Sequence, residues 1–280
     1  MGSYYVIYVM SHFNGFSLEG KTAVVTGAAG LLGRTHCKAL VEAGATVFAA
    51  DIDFNGCQNV VNDLNKLNVS ACALDVTEPE SLKVLLDKIL DATGSVDVLV
   101  NNAAINDTFE DPSTSLELSK FEQYPLEMWK KSLDVNVTGV FLCSQIIGSK
   151  MADLGSGSII NIASTYGLVG PDQSLYIDKD GNQQMFKSAI YPTTKGAVLS
   201  FTRFLAAYWG KNGVRVNSLS PGGVQNDQDK FFVAEYSRRT PLGRMAVQDD
   251  YMGALIYLAS DASSYMTGAN LVVDGGFTVW

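Results

Sequence analysis

TAVVTGAAGLLGRTHCKALVEAG, residues 22–44, decides the fold. A short β-branched run ends in glycine, and the apolar residues that follow recur at helical spacing up to the next glycine. The stretch reads as strand, glycine turn, helix. Gly27, Gly30 and Gly33 occupy the turn, where the backbone can approach a pyrophosphate and the helix N-terminus offers unbonded N–H groups. Glycine turns also serve packing, so the next strand matters. TVFAAD (46–51) ends in Asp51, eighteen residues after Gly33, close to the ~20 expected of an acid that binds an adenosine ribose. A carboxylate there accepts from both ribose hydroxyls and repels a 2′-phosphate, and Ile52 supplies no cation to offset that repulsion. The pattern favours NAD over NADP. Asp53 is the nearby competitor and is expected in the loop.

The alternation continues outward. A helical stretch near 56–67, a strand SACALDV (70–76), a helix near 79–93 with Pro79 in its first turn, and a fourth strand VDVLVNNAA (96–104) follow in order. Strand and helix in turn argue an α/β protein with a parallel sheet covered on both faces. No linker, low-complexity run or solenoid repeat intervenes, so one domain is drawn over 18–280. Residues 1–17 form an extension. Its apolar YYVIYVM is short and has no preceding basic residue, which argues against a signal peptide. A fusion scar, a start at Met10, or an arm on a partner subunit are the readings of this segment.

The chain has 280 residues, 47% hydrophobic and 18% charged, with net charge −9. That composition is globular, and an acidic chain without a basic run fits neither nucleic acid nor an anionic membrane surface. No apolar run reaches the ~20 residues of a membrane span. Four scattered cysteines without a CxxC read as reduced core thiols of a cytoplasmic protein, and two histidines leave little material for a metal site.

The chemistry-bearing stretch runs from Ile160 to Lys195. Tyr191 and Lys195 are four apart and face the same side of a helix. A cation there favours phenolate over phenol, bringing a group of reference pKa ~10 nearer neutrality. Ser164, at the end of an apolar strand, could hold a carbonyl oxygen beside them. Of the twelve tyrosines, Tyr166 and Tyr176 also lie near Ser164 in sequence, but Gly170 and Asp180 stand where their lysine would be.

TGAAGLLG, Asp51, LDV (74–76), NNAA (101–104), Asn136 in DVNVTG, Ser164, YPTTK (191–195), SPGG (220–223) and VVDGG (272–276) come in the order found in the short-chain dehydrogenase/reductase family. The resemblance covers residues 18 to 277. It implies a single-domain Rossmann-type fold, a doubly wound parallel sheet of about seven strands. It also implies a general acid/base at Tyr191. Lys195 would lower the Tyr191 pKa and hold the nicotinamide ribose. Ser164 would bond the substrate oxygen, and Asn136, on a long central helix, would relay protons through water. Gly27, Gly30, Leu31, Leu32, Gly33, Asp51, Ile52, Asp75, Val76, Asn102, Ala103 and Ala104 would contact the cofactor, Asp75 at its adenine. Pro221, Gly222 and Val224 would pass the nicotinamide. Family members usually form dimers or tetramers, here through helices near 127–152 and 188–212 and the last strand.

The chain departs from the family in several places. Leu31 stands where the middle glycine of TGxxxGxG is expected, and the resulting TGxxGxxG resembles an epimerase-like branch that carries a C-terminal substrate domain. VVDGGFTVW is not followed by one, so the single-domain branch fits better. NNAA replaces the commoner NNAG. Insertions near 105–125 and 171–188 follow strand C-termini, where ligands bind in such sheets. They are expected to build the substrate-side wall, the second as a hairpin around Asp180-Gly181. A lid near 224–245 opens with Gln225, Asn226, Asp227, Gln228 and Asp229, and such polarity suits a sugar, polyol or nucleotide-linked sugar. Lys187, Arg238 and Arg239 could meet a phosphate or carboxylate, although such charges are usually solvated. The sequence thus reads as an NAD(H)-dependent oxidoreductase interconverting a secondary alcohol and a ketone. The alternatives are a nucleotide-sugar epimerase or dehydratase with tightly bound NAD, and a dinucleotide sensor without turnover.

Overall fold

The structure, a computed structural model, describes residues 14–65, 68–106 and 112–280. The extension expected over 1–17 lies outside the described residues as far as residue 13. The elements in order are β1 (Thr22–Thr26), α1 (Leu31–Glu42), β2 (Thr46–Asp51), α2 (Phe54–Leu64), β3 (Val69–Ala73), α3 (Pro79–Thr93), β4 (Val98–Asn101) and α4 (Pro112–Ser119). They continue with a long helix α5 over 126–154, β5 (Gly157–Ile162), α6 (Ile190–Trp209), β6 (Val214–Pro221), α7 (Lys230–Arg239), α8 (Met252–Ala259) and β7 (Asn270–Val273).

All seven strands pair in parallel, in the order β3-β2-β1-β4-β5-β6-β7. Their near-continuous apolar runs are what burial on both faces demands. One face is closed by α1 and α8, with Leu40, Val41, Leu255 and Leu258 in the core. The other is closed by α3, α5 and α6 through Leu82, Ile89, Ile147, Met151, Leu205 and Trp209. This is the doubly wound Rossmann-type sheet that the alternation predicts. The order reverses between β1 and β4, and the crevice at that reversal is where such sheets bind ligands.

Helix α5 is α-helical except for π turns at Asp134–Thr138 and Ser144–Gly148. Both place polar residues inward. Ser144, Asn101 of β4, Asn161 of β5 and Thr202 of α6 form a buried polar thread, with bonds of 3.2, 2.8 and 2.9 Å. Elements end for local reasons. α2 stops at Leu64, short of 67, because Asn65 turns left-handed at φ 44°. β4 stops at Asn101 because Asn102 turns to bond β1. The hairpin expected around Asp180-Gly181 is reduced to one antiparallel bridge, Ile177 to Gln183. Asp178 organises it by accepting from the backbone N–H groups of Asp180 and Asn182, each at 2.9 Å. No helix among the described residues is long and apolar enough to cross a membrane.

Candidate active site

The glycine turn is built by close approach. Gly27 has φ +65°, and a Cβ on it would fall 2.7 Å from Ala103 Cα. A Cβ on Gly33 would fall 2.0 Å from the Gly27 carbonyl oxygen. Gly30 is under no such constraint, since a Cβ there would meet only Gly27 O at 3.3 Å. Thr26, which the sequence reading passed over, locks the turn to β4. Its hydroxyl accepts from the Asn102 and Ala103 N–H groups, each at 3.1 Å, while Asn102 Nδ2 donates to Thr26 O and Gly27 O at 3.0 Å. Asp51 reaches the same turn: Oδ2 accepts from Ala29 N and Oδ1 from Asp53 N, both at 3.0 Å. Ile52 beside it is exposed. Asp53 caps α2 through Gly56 N at 2.9 Å. Asp75 accepts from Thr77 N and Thr77 Oγ1 at 2.9 and 2.6 Å, and Val76 packs against Gly139 of α5. A Cβ-free cradle, a helix N-terminus and a strand-end acid thus stand together, and they fit a dinucleotide.

The strand β5 delivers Ser164, and α6 begins at Ile190 so that Tyr191 lies in its first turn. The Ser164 and Tyr191 side chains line the same cleft, and the serine hydroxyl acts to lower the Tyr191 phenol. Lys195, one turn on, lies 5.7 Å from the Tyr191 ring centre and donates from Nζ to Ile162 O at 2.7 Å. Ser164 and Lys195 are buried, and Tyr191 is half-buried. Burial pushes the Tyr191 phenol up, and the Ser164 hydroxyl offsets part of that. Burial also draws the Lys195 ammonium down to about 8. Asn136 sits in the first π turn of α5, 1% exposed. Its side chain pairs with the Ile105 backbone, accepting at 2.8 Å and donating at 2.9 Å, and donates to Thr194 Oγ1 at 3.3 Å.

Ser164, Tyr191 and Lys195 open onto one cleft of about 360 Å³, also lined by Leu31, Leu32, Asn102, Ala104, Pro221, Gly222 and Val224. Of the expected site residues, Gly27, Gly30, Gly33, Asp51, Ile52, Asp75, Val76, Ala103 and Asn136 are not among those that line it. The segment over 224–245 covers the cleft with Phe232, Tyr236 and Met245, while the polar run from Gln225 to Asp229 is exposed. Tyr236 Oη accepts from Gly223 N at 2.7 Å. Phe277 stacks on this tyrosine at 4.6 Å, and Gly222 N donates to Val273 O at 2.9 Å, so β7 and the residues after it brace both α7 and the Pro221–Val224 turn.

Lys187 differs from the surface charge expected of it. It is 9% exposed, with Nζ 4.6 Å from the Tyr191 ring centre and bonded to Asn106 Oδ1. Arg238 pairs with Glu235, and Arg239 bridges Glu235 and Asp172, so both are engaged within the protein surface. Tyr166 and Tyr176 bring their hydroxyls together at 3.3 Å on the cleft wall. Burial raises both phenols, Tyr176 to about 12.

A family model described as enoyl-(acyl carrier protein) reductase matches residues 27–278. A 3-alpha-(or 20-beta)-hydroxysteroid dehydrogenase of Mycobacterium tuberculosis (strain ATCC 25618 / H37Rv) is 38% identical over 92% of this chain and 90% of its own. A D-threitol dehydrogenase of Mycolicibacterium smegmatis is 32% identical over 94% and 95%. Among solved structures, a gluconate 5-dehydrogenase from Burkholderia cenocepacia J2315 in complex with NADP and tartrate superimposes with TM-score 0.82 at 29% identity, covering 95% of this chain and 98% of that one. Sheet order, turn and relatives agree: the chain belongs to the short-chain dehydrogenase/reductase family and is an NAD(P)-binding oxidoreductase of a secondary alcohol and its ketone.

Proposed function

We propose that the protein interconverts a secondary alcohol and a ketone on a hydroxylated small molecule, a sugar, polyol or nucleotide-linked sugar, and prefers NAD(H) to NADP(H). The observation that carries this reading is the Ser164–Tyr191–Lys195 group opening onto the same cleft as the glycine turn. The nicotinamide, when bound, supplies or accepts the hydride. Tyr191 Oη gives its proton to the ketone oxygen in reduction and takes it back in oxidation. Ser164 Oγ holds that oxygen in place. Lys195 stabilises the phenolate left behind. Such positioned acid/base action contributes roughly 10²–10⁴-fold. Asn136, bonded to Ile105, fixes the end of β4 against α5 and orders the approach to Lys195 through Thr194.

The NAD preference rests on Asp51, whose carboxylate sits at the strand end with no cation following it. A hydroxylated substrate is supported by the hydroxyls of Tyr166 and Tyr176 and the amides of Asn106 and Gln228 along the cleft, and by the threitol and gluconate named for two relatives. The insertions near 105–125 and 171–188 serve as the substrate-side wall, joined where Phe186 N donates to Ser119 Oγ at 2.9 Å. The segment 224–245 serves as the lid. Four free, buried cysteines suit a reducing cytoplasm. A homo-oligomer is supported by the exposed aromatic run of Phe204 and Tyr208 on α6.

The test is reduced-nicotinamide absorbance with purified protein, NAD⁺ or NADP⁺, and a panel of sugars and polyols. NADH formation that falls at least ~10³-fold in Tyr191→Phe is the expected result. Turnover that survives Tyr191→Phe would overturn the acid/base assignment. Higher kcat/KM with NADP⁺ would overturn the role of Asp51.

A further inference from the structure

Tyr166 and Tyr176 reach the cleft from two separate short turns. Tyr166 lies in the turn Thr165–Gly167 that follows β5, and its backbone N–H donates to Ser164 Oγ at 3.2 Å. Tyr176 closes the turn Gln173–Tyr176, inside the insertion near 171–188. Asp172 caps that turn through Ser174 N at 2.9 Å and pairs with Arg239 of α7. The Tyr176 carbonyl accepts from Gln184 N at 2.9 Å, and its ring packs on Phe232 of α7 at 5.7 Å. Held in this way, the two hydroxyls meet at 3.3 Å in the cleft that Ser164 and Tyr191 also line.

The pair has bonding capacity left over. A phenol hydroxyl donates one proton and also accepts. The bond between the two consumes one proton, which leaves one O–H and the remaining lone pairs. Among the described residues, neither hydroxyl has a second partner. Burial raises both phenols, Tyr176 to about 12, so both stay protonated at neutrality. The pair is therefore a neutral donor and acceptor side by side, the complement of an alcohol hydroxyl rather than of an ion. Phe232, Tyr236 and Met245 give the lid side of the same cleft a largely apolar surface, where a hydroxyl set against carbon would lose the bonds it makes in water. The charge of Tyr191 is felt at both phenols, which puts the pair within a small molecule's reach of the reacting oxygen.

We propose that Tyr166 and Tyr176 are specificity residues that together hold a second hydroxyl of the substrate, making a diol, rather than an alcohol with one hydroxyl, the preferred class. This rests on the reading that Tyr191 acts on a secondary alcohol in this cleft. The reacting oxygen lies at Ser164 and Tyr191, and the second hydroxyl accepts from one phenol of the pair while donating to the other. A site built to bond a hydroxyl rejects the analogue that lacks it, because its own polar groups are then left without a partner.

The experiment compares kcat/KM, with NAD⁺, for two pairs of alcohols that differ by one hydroxyl: cyclohexane-1,2-diol against cyclohexanol, and butane-2,3-diol against butan-2-ol. Wild type, Tyr176→Phe and the double variant Tyr166→Phe/Tyr176→Phe are measured, since phenylalanine keeps both rings and their packing. Wild type is expected to prefer the diol of at least one pair by roughly 10-fold, and the double variant to bring that ratio within ~3-fold of unity, chiefly through KM. The single variant leaves Tyr166 Oη in place and is expected to fall between the two. Each ratio is taken on one sample, so loss of folded enzyme does not move it. A wild type without preference in either pair, or a preference that stays level in the double variant, overturns the proposal. A binding arm stands apart from turnover: the same alcohols are titrated into the enzyme·NADH complex, where none can be oxidised, and NADH fluorescence is followed. Wild type should bind the diol more tightly than its partner, and the double variant should lose that difference. Equal affinities in wild type overturn the role of the pair. Failure of the redox reading shows separately, as absent NADH formation from all the alcohols while the diol preference in binding remains.

Discussion

Lys195 carries its charge while almost fully buried, and the fold bears the cost. Burial lowers its ammonium from 10.5 to about 8. Between those values the unfolded chain binds the proton that the folded chain has lost, so this lysine makes stability rise with pH. The penalty is full below about pH 8 and vanishes above about 10.5. It amounts to about 3 kcal/mol at neutrality, less about 1 kcal/mol for the bond to Ile162 O. Lys195→Met is therefore expected to melt about 5 °C above wild type at pH 7, with the gap closing by pH 10, while activity is lost. Thermal denaturation at the two pH values checks this. A variant that melts lower at pH 7 would mean that the Ile162 bond outweighs the buried charge.

The glycine turn and α1 act as one element, and its three glycines are unequal. In Gly33→Ala the new methyl would sit 2.0 Å from Gly27 O, forcing α1 off β1. Overpacking of this kind costs typically 1–3 kcal/mol, and the displaced N–H groups weaken dinucleotide binding. Gly30→Ala meets a single atom at 3.3 Å. Calorimetric titration with NAD⁺ should show at least ~10-fold weaker binding for Gly33→Ala and at most ~3-fold for Gly30→Ala. Equal effects would refute the packing account. This element was legible in the sequence because its signals are local: a β-branched run, glycine spacing, helical periodicity. Tyr191 and Lys195 were legible for the same reason, being one helical turn apart. Lys187 was not, since its burial is imposed by Gln173 and Ser119, fourteen and sixty-eight residues away in sequence. The lid misled in a third way. Of its polar opening only Gln228 lines the cleft, and the larger cover comes from Phe232 and Tyr236, four apart on α7. Helical spacing alone would have flagged that pair.

At the scale of the whole molecule, α6 presents a face that no other described residue covers. Phe204 and Tyr208 are 61% and 66% exposed, their rings stacked at 5.8 Å, and Phe141 of α5 adjoins Phe201 at 6.3 Å. An apolar patch of this kind usually marks an interface. Under the proposed assembly through this face, Phe204→Glu with Tyr208→Glu should sediment as a smaller species than wild type in analytical ultracentrifugation. An unchanged sedimentation coefficient would place the interface elsewhere.

β7 and the segment that follows it bear on how the protein comes into being. The turn at Pro221–Val224 and the lid helix α7 lean on Val273 and Phe277, which are made long after the residues they support. A chain emerging from the ribosome can close β1 through β6 and assemble the Ser164–Tyr191–Lys195 group early. Its cleft nonetheless lacks one wall until residues 270–280 have appeared. Prematurely terminated products that stop before that point would retain most of the sheet and yet lack a finished cleft, and oxidoreductase competence would thus be among the last properties acquired during translation.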